Sequence, residues 1–198
     1  VTGSEIVGLV PLRVMTEAAD YYLRKQERSL GVSESEKVKI AIRSLGLDEL
    51  TPFDPSKRVI EYLLAKPGSK PLVGMNLCAF AEETSSESPA PGGGSISAYV
   101  GALGVALGTM VANLSAHKRG WDDRWEEFSS VAERGLVFQN RLLALVDEDT
   151  AAFEGILAAY GLPKGNPAQE AERHAAIQAA TLEAMRAPLE VAEQSLAS

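Results

Sequence analysis

Two short runs of residues in this chain could do chemistry. The first is Pro89-Ala90-Pro91-Gly92-Gly93-Gly94-Ser95, which leads straight into an apolar helical pattern. Its three glycines strip side chains from a turn, and a new helix offers unpaired N–H groups and the positive end of its dipole. Gly92, Gly93, Gly94 and Ser95 could therefore hold a carboxylate or a phosphate. The run lacks the Lys-Ser/Thr ending of a nucleotide P-loop and follows no strand, which disfavours ATP. A plain tight turn with Ser95 as N-cap accounts for the same residues.

The second run is Val146-Asp147-Glu148-Asp149, inside a long helical pattern. Phe138, Leu142, Leu145, Phe153, Ile156 and Tyr160 mark one apolar stripe, and Asp149 falls in it, four residues after Leu145 and four before Phe153. Asp147 lies about 160° around the helix from that line. A carboxylate on an apolar stripe is costly unless paired, and desolvation can bring carboxyl groups into a useful acid–base range. Asp149 is thus a candidate for proton transfer, and a buried Asp bonded to a neighbouring helix fits equally well. Asp147 and Glu148 read as solvated.

Cations that could meet an anionic ligand are few. Lys118-Arg119 closes the first helical block, Lys164 sits in the turn Leu162-Pro163-Lys164, and Arg173 precedes Ile177 by four residues. Surface charge is the plainer reading of each. Asp122, Asp123, Glu126 and Glu127, with Trp121 and Trp125, read as a solvated face with aromatic anchors.

The elements that must position these residues are mostly helical. Residues 4–10 read as a buried strand ending at Pro11, with the rest of its sheet expected upstream of Val1. Helical spacing follows from Leu12 to about Arg28, from Ser33 to Ser44 with Leu45-Gly46 closing it, and behind the cap signal Asp54-Pro55. Lys66–Lys70 is a linker by composition. Three helical blocks come next, over about 95–117, 123–160 and 167–196. Asn166, Pro167 and Gln169 form an N-cap signal for the last, and Pro188 should kink or restart it. The uncharged stretch Ile96–Leu114 nearly reaches membrane-spanning length, and Gly104 with Gly108 fits a membrane dimer motif. Its Ser97, Thr109 and Asn113 favour a buried core helix with a small-residue face. Being apolar on nearly all sides, it calls for partners around most of its circumference, and the isolated chain is expected to associate.

Composition narrows the partners. Residues 1–68 carry ten Lys+Arg and ten Asp+Glu, whereas residues 69–198 carry nine and seventeen, which gives the net charge of −8. Nucleic acid is a poor partner for that surface, while a small anion met by a few converging cations remains open. Cys78 is the only cysteine, so an intrachain disulfide is excluded and a reducing, cytoplasmic setting is expected. His117 and His174 have no cysteines at ligand spacing, so no metal site is expected.

In order along the chain, Phe80-Ala81-Glu82-Glu83-Thr84-Ser85, Pro89-Ala90-Pro91-Gly92-Gly93-Gly94-Ser95, Gly101-Ala102-Leu103-Gly104 and Met110-Val111-Ala112-Asn113-Leu114 resemble the start of a formiminotetrahydrofolate cyclodeaminase domain. Asp147-Glu148-Asp149 with Ala152-Phe153, Leu162-Pro163-Lys164 and Ala176-Ile177-Gln178-Ala179-Ala180 continue the likeness. Residues 1–65 resemble the end of a formiminotransferase domain, through residues 3–11 and Phe53-Asp54-Pro55-Ser56-Lys57-Arg58. The chain is thus similar to the formiminotransferase-cyclodeaminase family, over nearly its whole length.

The resemblance implies a mainly α fold. A small α/β remnant of the transferase domain (residues 1–65) and a linker (66–78) precede a helical cyclodeaminase domain (79–198) that stops short of the family's last helices. It implies ring closure of 5-formiminotetrahydrofolate to 5,10-methenyltetrahydrofolate and ammonia, within a bifunctional histidine-degrading and one-carbon enzyme. Asp149 would carry the proton, Gly92–Gly94 and Ser95 would hold the substrate, and Lys164 or Arg173 would pair with the glutamate carboxylates of the folate. No metal or redox cofactor would be needed, the transferase's catalytic histidine would lie outside the chain, and a homo-oligomer that binds neither nucleic acid nor membrane is expected. A methenyltetrahydrofolate cyclohydrolase and a non-catalytic folate-binding or dimerising module are the alternatives.

Overall fold

A computed structural model describes residues 3–64 and 72–197. Among these residues the chain is mainly α-helical, in two compact units: Val1–Ser69 with Leu107–Leu136, and Lys70–Ala106 with Val137–Ser198. Residues 66–71 of the expected linker lie outside the described residues.

The first unit begins with an extended segment rather than the expected strand. Among the described residues its only ladder contact is an isolated parallel bridge, Val10 to Val59. Among the described residues the α/β character expected for this region therefore reduces to that one bridge, with no neighbouring strand to satisfy the remaining backbone groups. Helices α1 (Leu12–Lys25) and α2 (Glu34–Leu45) pack through Met15, Ala19, Val38, Ala41 and Ile42. The Ser33 hydroxyl accepts from the Glu36 N–H to start α2, and Gly46 stops it in the left-handed conformation at φ 67°. Asp54 caps α3 (Pro55–Arg58), and α4 (Ile60–Leu64) follows.

The 29–31 loop completes this unit against the 107–136 residues. Ser129 Oγ accepts from the Leu30 N–H at 2.9 Å, and Asn113 Nδ2 donates to the Gly31 carbonyl at 2.8 Å. A β-carbon on Gly31 would lie 2.3 Å from the Ala132 methyl, so only glycine allows this approach.

The second unit opens on a turn. Leu72, expected within a linker, is buried in the core, and Leu77 and Cys78 already belong to α5 (Leu77–Thr84), which Asn76 caps. Three longer helices follow along the chain: α6 (Gly93–Ser115), α7 (Trp125–Tyr160) after a 3₁₀ turn at Asp122–Arg124, and α8 (Pro167–Ala184), with residues 107–136 of this stretch belonging to the first unit. Asn166 caps α8 through the Gln169 N–H, and Gln169 Oε1 accepts from the Gly165 N–H. The last block breaks at Met185 and restarts as α9 (Arg186–Ala197), with Pro188 in its first turn. Leu72, Ala98, Ala102, Leu142, Leu145, Val146, Ala187 and Val191 form this unit's core.

Helix α6 departs from the expected core helix. Its small residues Ser95, Ala98, Ala102, Thr109 and Ala112 are buried, while Val100, Leu103, Leu107, Val111 and Leu114 are exposed. Small side chains let backbones approach closely, so the helix packs on that face and turns its bulk outward. By length and composition alone α6 could cross a membrane, and 28% of its most apolar stretch is buried.

Candidate active site

The glycine-rich run and the acidic run meet in the second unit. Ser95, the third residue of α6, is fully buried and donates its backbone N–H to Asp149 Oδ2 on α7 at 2.8 Å. The positive start of α6 therefore receives a carboxylate, as the sequence suggests, and that carboxylate is the chain's own. Ser95 consequently is not an N-cap: Gly92 supplies the carbonyl that the Ile96 N–H meets, and the serine side chain points across to α7.

Three oxygens surround Ser95 Oγ: the Val146 carbonyl and Asp149 Oδ2, both at 2.9 Å, and Thr150 Oγ1 at 3.2 Å. A hydroxyl has one proton to give and lone pairs to accept with. When Asp149 is ionised, Ser95 Oγ can donate to Oδ2. When Asp149 is protonated, the acid can donate to Ser95 Oγ, which then donates to Val146. Thr150 can supply a further hydrogen bond in either state.

Gly94 makes the approach possible. A β-carbon there would sit 2.2 Å from Asp149 Oδ1 and 2.6 Å from its Cγ, whereas one on Gly92 or Gly93 would meet nothing within 4 Å. Only Gly94 is required by space. The Ala90–Pro91 peptide bond upstream is cis.

The other candidates separate. Asp147, expected to be solvated, is half-buried and accepts from the Leu72 N–H at 3.1 Å, which fixes the 72–76 turn. Glu148 is exposed, but Arg141 grips it at 2.6 and 3.0 Å while also holding Glu190 of α9 at 2.5 and 2.6 Å. That arginine was not singled out from the sequence; the seven-residue spacing from Arg141 to Glu148, two turns of one helix face, is the signal. Hydrogen bonds from Arg141 hold the Glu190 carboxyl below its ordinary value.

Lys164 is exposed. Arg173 is half-buried and donates through Nε and Nη2 to the Tyr160 carbonyl, both at 3.2 Å, with its guanidinium 5.5 Å from the tyrosine ring. It therefore closes the C-terminus of α7, roughly 16 Å along the helix from Asp149. The structure thus joins Ser95, Gly94 and Asp149 and leaves Arg173 at a distance.

The expected apolar stripe on α7 is buried only in part. Leu142 and Leu145 are inaccessible and Asp149 is half-buried, but Phe153 and Tyr160 are exposed and Ala159 is buried instead. Among the described residues no three or more His, Cys, Asp or Glu side chains gather where they could hold a metal.

Residues 76–198 match the family model described as formiminotransferase-cyclodeaminase, and residues 1–65 match the formiminotransferase domain model. The chain belongs to the formiminotransferase-cyclodeaminase family. The formimidoyltransferase-cyclodeaminase of Rattus norvegicus is 38% identical over 194 residues, 98% of this chain and 36% of that protein. The chain thus spans about a third of the length of the curated relatives it matches first. A methenyltetrahydrofolate cyclohydrolase of Methylorubrum extorquens is 36% identical over 110 residues, 56% of this chain and 53% of that protein. Among solved structures, the formiminotetrahydrofolate cyclodeaminase of Thermotoga maritima aligns with a TM-score of 0.51 and 30% identity, over 61% of this chain and 56% of its own. Every candidate site residue falls inside the segment that the formiminotransferase-cyclodeaminase model matches.

Proposed function

We propose that this chain carries a formiminotetrahydrofolate cyclodeaminase, closing 5-formiminotetrahydrofolate to 5,10-methenyltetrahydrofolate with release of ammonia. The observation that carries the reading is the Ser95–Asp149 pair, joined at 2.8 and 2.9 Å within the segment matched by the cyclodeaminase family. N10 of the folate attacks the formimino carbon on N5, forming the new C–N10 bond. The C–N bond to the formimino nitrogen then breaks. Ammonia leaves with the proton that N10 loses and one more from solution, and the methenyl cation remains.

Asp149 is the group that takes the N10 proton and returns it to the departing nitrogen, with Ser95 steadying the carboxyl in each state. Gly92–Gly94 and Ser95 border the substrate. Lys164 is the freer candidate for the glutamate carboxylates of the folate, because Arg173 is engaged at Tyr160. The reading requires no metal or redox cofactor, nucleic acid or membrane. It places the protein in a reducing cytoplasm, as part of a bifunctional histidine-degrading enzyme whose formimidoyltransferase domain ends in residues 1–65. The exposed Val100, Leu103, Leu107, Val111 and Leu114 of α6 support a homo-oligomer.

A second reading, hydrolysis of methenyltetrahydrofolate, is favoured by the match to the Methylorubrum cyclohydrolase. Supplying 5-formiminotetrahydrofolate and measuring ammonia against the methenyl chromophore separates the two. A cyclodeaminase yields both in equal amounts, whereas a cyclohydrolase releases no ammonia and consumes the chromophore.

A further inference from the structure

We infer that the bicyclic ring system of the substrate seats in an apolar cavity lined by Leu72, Val73, Phe80, Tyr99, Leu143 and Val146. This inference rests on the folate reading above and adds a place for the ring. The cavity measures about 210 Å³, less than the roughly 300–1,000 Å³ of a site that encloses a whole small molecule. It takes a ring-sized group and leaves the remainder of a longer ligand outside.

The cavity and the Ser95–Asp149 pair are built from the same turns of helix. Tyr99 stands four residues after Ser95 on α6, and Val146 three before Asp149 on α7, so each shares a helix face with its polar neighbour. Val146 belongs to both: it lines the cavity, and its carbonyl accepts from Ser95 Oγ. A ring seated there lies about one helical turn from the pair along both helices.

The remaining walls fit a flat ligand. The rings of Phe80 and Tyr99 lie 5.3 Å apart at 52°, an aromatic corner that meets a planar group by face and by edge. Asp147 fixes another lining residue by accepting from the Leu72 N–H, so the two aspartates of the acidic run brace the cavity and the polar pair respectively. Leu77 at the rim is 71% exposed, an apolar group that a bound ring would cover.

The test uses the full-length protein, with 5-formyltetrahydrofolate as a non-reacting ligand for titration and 5-formiminotetrahydrofolate for turnover. Tyr99→Leu and Phe80→Leu should raise Kd and KM about tenfold or more, with kcat within about threefold. Val73→Phe fills the cavity instead of emptying it and should weaken binding at least as much, which guards against a variant that fails to fold. Circular dichroism identifies the folded variants. If folded Tyr99→Leu and Val73→Phe bind like the parent while Asp149→Asn still loses turnover, the ring lies elsewhere and the cyclodeaminase reading stands. If the unaltered protein neither binds the formyl compound nor releases ammonia, both readings fall.

Discussion

Gly94→Ala tests the geometry of the site without reference to any substrate. The added methyl would lie 2.2 Å from Asp149 Oδ1, 2.6 Å from Cγ and 2.7 Å from Oδ2, against an ordinary contact of 3.4–4 Å. The carboxylate must retreat by roughly 1 Å, because all three of the nearest atoms to the methyl belong to it. That carries Oδ2 out of range of the Ser95 N–H and Oγ, now at 2.8 and 2.9 Å. Hydrogen bonds to a charged group contribute about 1.5–3 kcal/mol each, so with partial relaxation the variant should lose about 2–4 kcal/mol of stability. Gly93→Ala is the control. Its methyl meets open space, and alanine's helix preference should leave it neutral or up to about 1 kcal/mol more stable. Urea denaturation of both variants reads the difference. Equal midpoints for the two would refute the claim that Asp149 sits against the Gly94 backbone.

Asp147→Asn keeps an acceptor for the Leu72 N–H and should change turnover less than about tenfold, while Asp147→Ala should cost about 1 kcal/mol of stability by denaturant melt. Glu190 has a carboxyl held below its ordinary 4.5 by Arg141, so its contribution is in place above pH 4.5 and is lost as pH falls through the depressed value. Glu190→Gln should therefore be less stable than the parent at pH 7, with the two melts converging in acid. Gly31→Ala, which drives a methyl to 2.3 Å from Ala132, should destabilise the first unit by about 1–3 kcal/mol, read as earlier loss of hydrogen-exchange protection around residues 29–31.

Local chemistry made part of this fold legible from sequence. Asn166 with Pro167 and Gly46 at the end of α2 act through backbone groups within a few residues, and each does what its type suggests. Asp149 was legible because its phase on α7 follows that of Leu142 and Leu145. What the sequence withheld depends on long-range partners. Residues 4–10 have strand composition, yet a strand exists only beside another. Ser95 has the type of an N-cap, but its hydroxyl is taken by Val146 and Asp149, more than fifty residues away. Apolar pattern identified α6 and the end of α7 as helices, and for α6 the small-residue packing face, but it overstated how much of α6 is covered and misplaced the buried face at the end of α7. In both, small residues such as Ala98 and Ala159 face inward while Leu103 and Tyr160 face outward.

If the Ser95–Asp149 pair moves the proton in a ring closure that expels ammonia, that reaction loses its proton carrier when Asp149 becomes Asn. Ammonia and 5,10-methenyltetrahydrofolate formed from 5-formiminotetrahydrofolate should therefore be measured together, in the full-length protein and in its Asp149→Asn variant. The parent should yield equal amounts of the two products, and the variant should be slower by roughly 10²–10⁴-fold with binding of 5-formyltetrahydrofolate unchanged. Full ammonia release by a folded Asp149→Asn protein would rule out that role for Asp149, and a parent that consumes methenyltetrahydrofolate and never releases ammonia would rule out the cyclodeaminase.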